Sequence, residues 1–499
     1  MESILHYLYQ YVKFGKFTTV FLVVIGAVIV LKLLLKPRLM IPKRALLISI
    51  LLLGLFLRIG WLSYSAHTPM TEWKTGHMLE NDWINVHAIE LAEHGTWFHG
   101  PNGLPSGRRP IGYPMFLALF YKILGPRLAV AWSLNLLLYG VTILFLFGIA
   151  RRLFDDNVAL ITALLFAIYP MSIYSIKLLT DEHLFLPVWY GGLYLLIRML
   201  DGRKVPLDWL WLGIIFGYAT MIRTHPIFMP FVVGLAFWLM KRPVKEVVAK
   251  AILVALVMNL VNLPWVIRNY RAWGVPVLYT ATGSFIYAQV NSTATPEGGG
   301  HIPLEGEPDY SPELDTAIKS GNEGVIHQIS NRLMKQWIFQ HPRQFLELGP
   351  SRLLDFMCFN RKSGVWAIWH QYYPGSFDPE KPLPENLRQF FEESAFAFYY
   401  VLFFSWILGM ILLVSRWKTI PVVTQMGLLL LGSCFLFWFM EHMVIYPDRK
   451  YRFPLEPLML ISASYFFLYF SCPAVIHTII KEISKKRQLK KQILPDAGN

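Results

Sequence analysis

Four polar clusters stand out against long apolar runs, and their residue types suit proton transfer beside an anion. Asn81-Asp82-Trp83 opens a short helical pattern that ends at Gly95, and Arg108 and Arg109 follow, leading into Pro110-Ile111-Gly112-Tyr113-Pro114. Lys177-Leu178-Leu179-Thr180-Asp181-Glu182-His183 crowds ionisable groups into one turn, and Arg449, Lys450 and Arg452 share a short loop near the C-terminal end. A carboxylate can take a proton from an attacking hydroxyl. Guanidinium and ammonium donors can hold a departing phosphate. With apolar flanks for a hydrocarbon chain, this set suits group transfer from a lipid-borne phosphate. Asp82 is the candidate base. Its position at a helix start also suits capping, and the two roles are compatible. Glu72 and Glu80 are alternatives that nothing in the local pattern orders.

The elements that must position these residues are membrane helices. Of 499 residues, 55% are hydrophobic and 16% charged. An ordinary soluble domain has about 25% charged residues, so that class is excluded. The apolar runs match the ~20 residues needed to cross about 30 Å of hydrocarbon. The chain reads as an all-α polytopic membrane protein with spans near 17–35, 45–63, 128–150, 158–171, 184–200, 209–224, 227–240, 250–267, 395–415, 420–441 and 455–472. The net charge of +14 does not imply a nucleic-acid partner, because Lys and Arg gather in short alternate loops such as Lys36–Arg44, Arg151-Arg152 and Lys241–Lys250. That alternation puts the N-terminus outside, the C-terminus inside and the polar clusters on the extracytoplasmic face of a plasma (inner) membrane. Cys358, Cys434 and Cys472 are too few and too scattered for a disulfide framework.

Four regions follow. Residues 1–267 form an N-terminal transmembrane module that includes the first outer loop, 65–125; 268–394 form an extracytoplasmic loop domain; 395–472 complete the membrane helices; 473–499 are a basic tail suited to anionic headgroups. Loops of this length usually carry function or structure of their own. Asp82–Glu93 and Pro114–Leu124, each followed by a glycine, read as helices at the membrane surface. In the second loop, helices are expected over 312–341 and 342–357.

Charged residues flanked by apolar helices are costly unless they line a polar cavity, and Arg223 and His225, at the end of a span, could join the Lys177–His183 cluster. The histidines His67, His77, His87, His94 and His99 show no metal-ligand spacing. There is no phosphate-binding glycine loop or dinucleotide fingerprint. No metal or cofactor is required by this chemistry.

Taken together, the pieces resemble the polyprenyl-phosphate-dependent glycosyltransferases of family 39 and their GT-C relatives, among them aminoarabinose-transferase-like and protein-mannosyltransferase-like enzymes. The resemblance rests on Asp82 with Ala88, Leu91 and Gly95; Arg109-Pro110-Ile111-Gly112-Tyr113-Pro114-Met115-Phe116-Leu117; Leu178-Leu179-Thr180-Asp181-Glu182; Pro264-Trp265-Val266-Ile267-Arg268-Asn269-Tyr270; and Arg449-Lys450-Tyr451-Arg452-Phe453-Pro454. They occur in family order over roughly residues 45–472. The resemblance implies a GT-C bundle with Asp82 as catalytic aspartate and a polyprenyl-phosphate-linked sugar as donor. The acceptor would be a lipid, cell-surface glycan or protein. Arg108, Arg109, Tyr113, Lys177, Asp181, Glu182, Arg223, Arg268, Arg449, Lys450 and Arg452 become the expected substrate-binding set. Protein mannosyltransferases of eukaryotic type carry Asp-Glu where this chain has Asp82-Trp83, which favours the branch acting on lipids or cell-surface glycans. The rival class is a lipid or glycolipid transporter or flippase. It would share the buried charges but leave the two large loops unexplained.

Overall fold

The computed structural model describes residues 14–35, 41–65, 80–97, 106–107, 109–202, 206–282, 288, 290–293, 301–357, 385–445 and 449–469. All regular structure among them is helical: α1 Phe14–Leu34, α2 Lys43–Ser65, α3 Glu80–Glu93, α4 Gly112–Leu124, α5 Leu128–Leu153, α6 Asp156–Ala167, α7 Pro170–Tyr174, α8 Glu182–Leu200, α9 Asp208–Ile222, α10 Met229–Leu239, α11 Val244–Trp273, α12 Pro312–Ser320, α13 Glu323–Gln340, α14 Pro342–Phe356, α15 Glu385–Ser415, α16 Val422–Val444 and α17 Glu456–Tyr469. Short 3₁₀ turns follow α7, precede α10, and cover Arg449–Arg452.

Among the described residues, α2, α5, α8, α11, α15 and α16 are long and apolar enough to cross a membrane. A seventh crossing results if α6 and the bent segment Pro170–Lys177 are taken together. The remaining expected spans, in α1, α9, α10 and α17, are helical; of these α9, α10 and α17, with 15, 11 and 14 residues, are shorter than a full crossing. The expected span at 158–171 is not straight: the chain bends by 52° after Ala167. Pro170 cannot continue the helix, and the bend frees carbonyls that need donors. Arg58 of α2 supplies them. Its Nη1 donates to Ala167 O at 3.0 Å and Gly54 O at 2.9 Å, and its Nη2 reaches Phe166 O and Ser172 Oγ. The guanidinium also lies 3.6 Å above the Tyr139 ring and is fully buried.

Core packing joins α5 to α6 and α8, α9 to α11, and α15 to α17. The amphipathic α3 lies on α4, burying Ile84 and Ala88, while Tyr121 donates to Asn85 Oδ1 at 2.8 Å. Gly95 and Gly125 follow these two helices with φ of 66° and 83°, a region open to glycine without strain. One expected helix is corrected. The stretch 312–341 is two helices, because Gly321 takes φ 71° as the C-cap of α12 and Asn322 then caps α13 through its side chain.

Candidate active site

The first turn of α8 meets the last turn of α9. Arg223 Nη1 lies 2.7 Å from Glu182 Oε1, with both side chains buried. Each charge also suits its own helix: an anion at an N-terminus, a cation at a C-terminus. Arg223 ends α9 in an extended conformation, just before His225-Pro226. Asp181, the N-cap of α8, is the less committed carboxylate. Burial pushes its carboxyl up to about 6, against the charges of Arg223, Lys450 and Arg109, with Glu182 pushing the same way as burial. Its Oδ1 is buried and accepts no hydrogen bond among the described residues.

The end of α16 completes this centre with residues the sequence did not single out. Glu441 Oε2 stands 2.9 Å from His225 Nδ1. The His225 ring stacks on Trp438 at 4.4 Å and lies near His442 and Tyr451. The Arg223 guanidinium stands 5.3 Å from the Tyr451 ring. Glu441-His442 closes an apolar run, and a carboxylate there was the available signal.

Other expected residues are built into the walls. Tyr113 is fully buried and donates to Asn135 Oδ1 at 2.6 Å, and the Asn135 amide donates to the carbonyls of Ile176 and Leu178. Tyr113 thereby braces the turn that leads to Asp181. Lys177 is buried in that turn, and its carbonyl accepts from the Trp132 indole at 2.9 Å. Arg452 pairs with Glu456 at 2.6 Å, donates to Phe356 O at 2.9 Å, and lies 3.7 Å from the Tyr399 ring. Tyr169 also donates to Glu456. This closed group anchors the Arg449–Arg452 turn to the bundle.

A second basic group lies toward the first loop. Arg268 donates through Nη2 to Ser106 O at 2.9 Å and lies 4.5 Å from the Trp265 ring. His87 of α3 is buried against Trp97 at 4.3 Å. Burial, then the charges of Arg268 and Arg109, hold its imidazole down to about 3, so it is neutral. The charge of Arg109 therefore reaches both His87 and Asp181. The structure thus brings Arg109, Asp181, Glu182, Arg223 and Lys450 into one electrostatic neighbourhood, with the helix of Asp82 beside it. Asp82 stands in the first turn of α3, and its side chain lies outside the described residues, as do Arg108 and the side chain of Arg449. Among the described residues, no three His, Cys, Asp or Glu side chains are grouped to hold a metal ion.

Residues 108–265 match the family model of dolichyl-phosphate-mannose-protein mannosyltransferases. The matched segment contains Arg109, Asp181, Glu182 and Arg223, in agreement with the resemblance those motifs carry, and Asp82 precedes it. A comparison with curated proteins finds no match. Among solved structures, the chain is similar to the oligosaccharyltransferase AglB from Archaeoglobus fulgidus in complex with an inhibitory peptide and a dolichol-phosphate, at 12% identity and TM-score 0.44, covering 92% of this chain and 53% of that one. It is also similar to ArnT from Cupriavidus metallidurans bound to undecaprenyl phosphate, at 13% identity and TM-score 0.36, covering 84% and 77%. The chain spans about half the length of the archaeal oligosaccharyltransferases it matches. It is a multi-pass membrane protein, and its similarity to the mannosyltransferase family is confined to the matched segment.

Proposed function

We propose that the chain is an inverting membrane glycosyltransferase. It would move a sugar from a polyprenyl-phosphate donor to a lipid, glycan or protein hydroxyl on the extracytoplasmic face of the plasma membrane. The observation that carries this reading is the charged centre of Arg109, Asp181, Glu182, Arg223 and Lys450, which falls largely within the family-matched segment at the ends of apolar helices.

Asp82 takes the proton from the acceptor hydroxyl, whose oxygen attacks the anomeric carbon. The bond from that carbon to the phosphate oxygen breaks, and polyprenyl phosphate leaves with the electron pair. Arg109 and Lys450, with Arg108 and Arg449, stabilise its added charge. Glu182 holds Arg223 in place, and Asp181 balances the surrounding cations. The helix placement supports the base assignment, since α3, whose first turn holds Asp82, packs on α4, which begins just after Arg109.

The test is to purify the protein with its native lipid and identify that lipid by mass. A bound polyprenyl phosphate, together with radiolabelled sugar transfer from a synthetic donor, is the expected result. Movement of labelled lipid across a vesicle membrane with no glycosidic bond formed would replace this reading with the flippase.

A further inference from the structure

Two residues before Arg109, the backbone is gripped from three directions. Glu323, in the first turn of α13, accepts from Gly107 N at 2.6 Å and from the Ser106 hydroxyl at 3.2 Å. Arg268, in the last turns of α11, donates to the Ser106 carbonyl at 2.9 Å. The Thr280 hydroxyl and the Ala281 amide donate to the Gly107 carbonyl at 3.1 and 3.2 Å. There is no room for a side chain at 107: a Cβ there would stand 2.0 Å from the Trp273 ring. Glu323 is itself fixed, because Asn322 caps its helix by accepting from Val325 N at 3.2 Å. Its charge also faces that helix's positive end.

Two residues of chain span at most about 7 Å, so holding Gly107 limits where Arg109 can begin. The charge of Arg109 is felt at Asp181, in the charged centre. Glu323 belongs to the segment after α11, far from Arg109 in sequence.

We propose that Glu323 is a positioning residue. Its carboxylate fixes Ser106-Gly107 and through them aims Arg109 at the donor's phosphate. The inference rests on the reading of Arg109 as a phosphate-binding group given above.

The experiment measures binding of polyprenyl monophosphate in detergent, and donor KM and kcat, for full-length Glu323→Ala, Arg109→Ala and the double variant. The loss of one charge-assisted contact is worth about tenfold. Each single variant is therefore expected to weaken binding and raise donor KM by about that factor, with kcat changed less. The double variant should be no worse than Arg109→Ala alone, because the two effects run through one group. Additive losses would overturn the inference while leaving Arg109 its role, and so would wild-type binding by a folded Glu323→Ala. Normal binding by Arg109→Ala would instead remove the phosphate reading, and the inference with it. Glu323→Gln keeps the side chain's shape and one acceptor oxygen, and serves if Glu323→Ala does not fold. An intermediate loss supports the clasp, and wild-type behaviour counts against it.

Discussion

Arg223 Nη1 lies 2.7 Å from Glu182 Oε1, across the junction of two helices, with both side chains buried. A buried pair of this kind costs little to replace whole and much to break. Glu182→Gln leaves the guanidinium without its counter-charge and should destabilise the protein by about 3–5 kcal/mol. Glu182→Leu combined with Arg223→Met should recover most of that loss while transfer stays lost. Thermal unfolding in detergent checks both. A double variant as unstable as the single would show that the two residues do not act as a unit.

Asp82→Asn is expected to abolish sugar transfer while leaving the melting temperature and yield unchanged. The amide keeps the shape and the helix start but cannot accept the acceptor's proton. Turnover near the wild-type rate would end the base assignment.

The Asp181 carboxyl, ordinarily at 3.8, is pushed up to about 6 by burial. The folded chain therefore binds this proton more tightly than the unfolded chain does. The sign follows from that difference: the Asp181 contribution favours the fold most below about 4 and is lost as pH rises toward about 6. Relative to Asp181→Asn, the wild type should lose stability between those values and run parallel above them. A pH series of unfolding midpoints for the two proteins makes the comparison, and a constant difference across the window would refute the assignment.

Lys450 acts on Asp181 and Glu182 from the Arg449–Arg452 turn. If it also meets the leaving phosphate, Lys450→Ala should raise donor KM by about tenfold, and Lys450→Arg by less. The wild-type advantage should shrink only modestly as salt is added, because Lys450 is half-buried and partly buried pairs are screened much less than exposed ones. A KM unchanged by Lys450→Ala would confine this residue to a structural part.

Most of the helical scaffold was legible, because an apolar run of span length has few alternatives in a membrane protein. The Lys177–His183 cluster was legible for the same reason: charge amid apolar helices demands partners. What escaped reading lay where one polar residue merges into its surroundings. Glu441 and His442 end an apolar run and look like its boundary, and their meaning comes from His225, distant in sequence. Arg58 sits inside a run and was absorbed into the span. Glu323 opens an amphipathic helix, as an acidic residue ordinarily does, so nothing local points to Gly107. The division at Gly321 was written in Ser320-Gly321-Asn322, a C-cap followed directly by an N-cap. Helical periodicity on both sides masked it.

The acceptors of Arg58 have a consequence for how this protein is made. Apart from Gly54 in its own helix, they lie at Phe166, Ala167 and Ser172, more than a hundred residues later in the chain. During synthesis, α2 reaches the bilayer before any of them exists. An arginine near the middle of an inserting helix costs about 2.5–3.5 kcal/mol on translocon scales, and the leucine-rich flanks of α2 must offset that until α6 arrives. Final settling of α2 is thus coupled to completion of the bent segment of α6 and α7, which sets an order of assembly on the N-terminal half of the bundle.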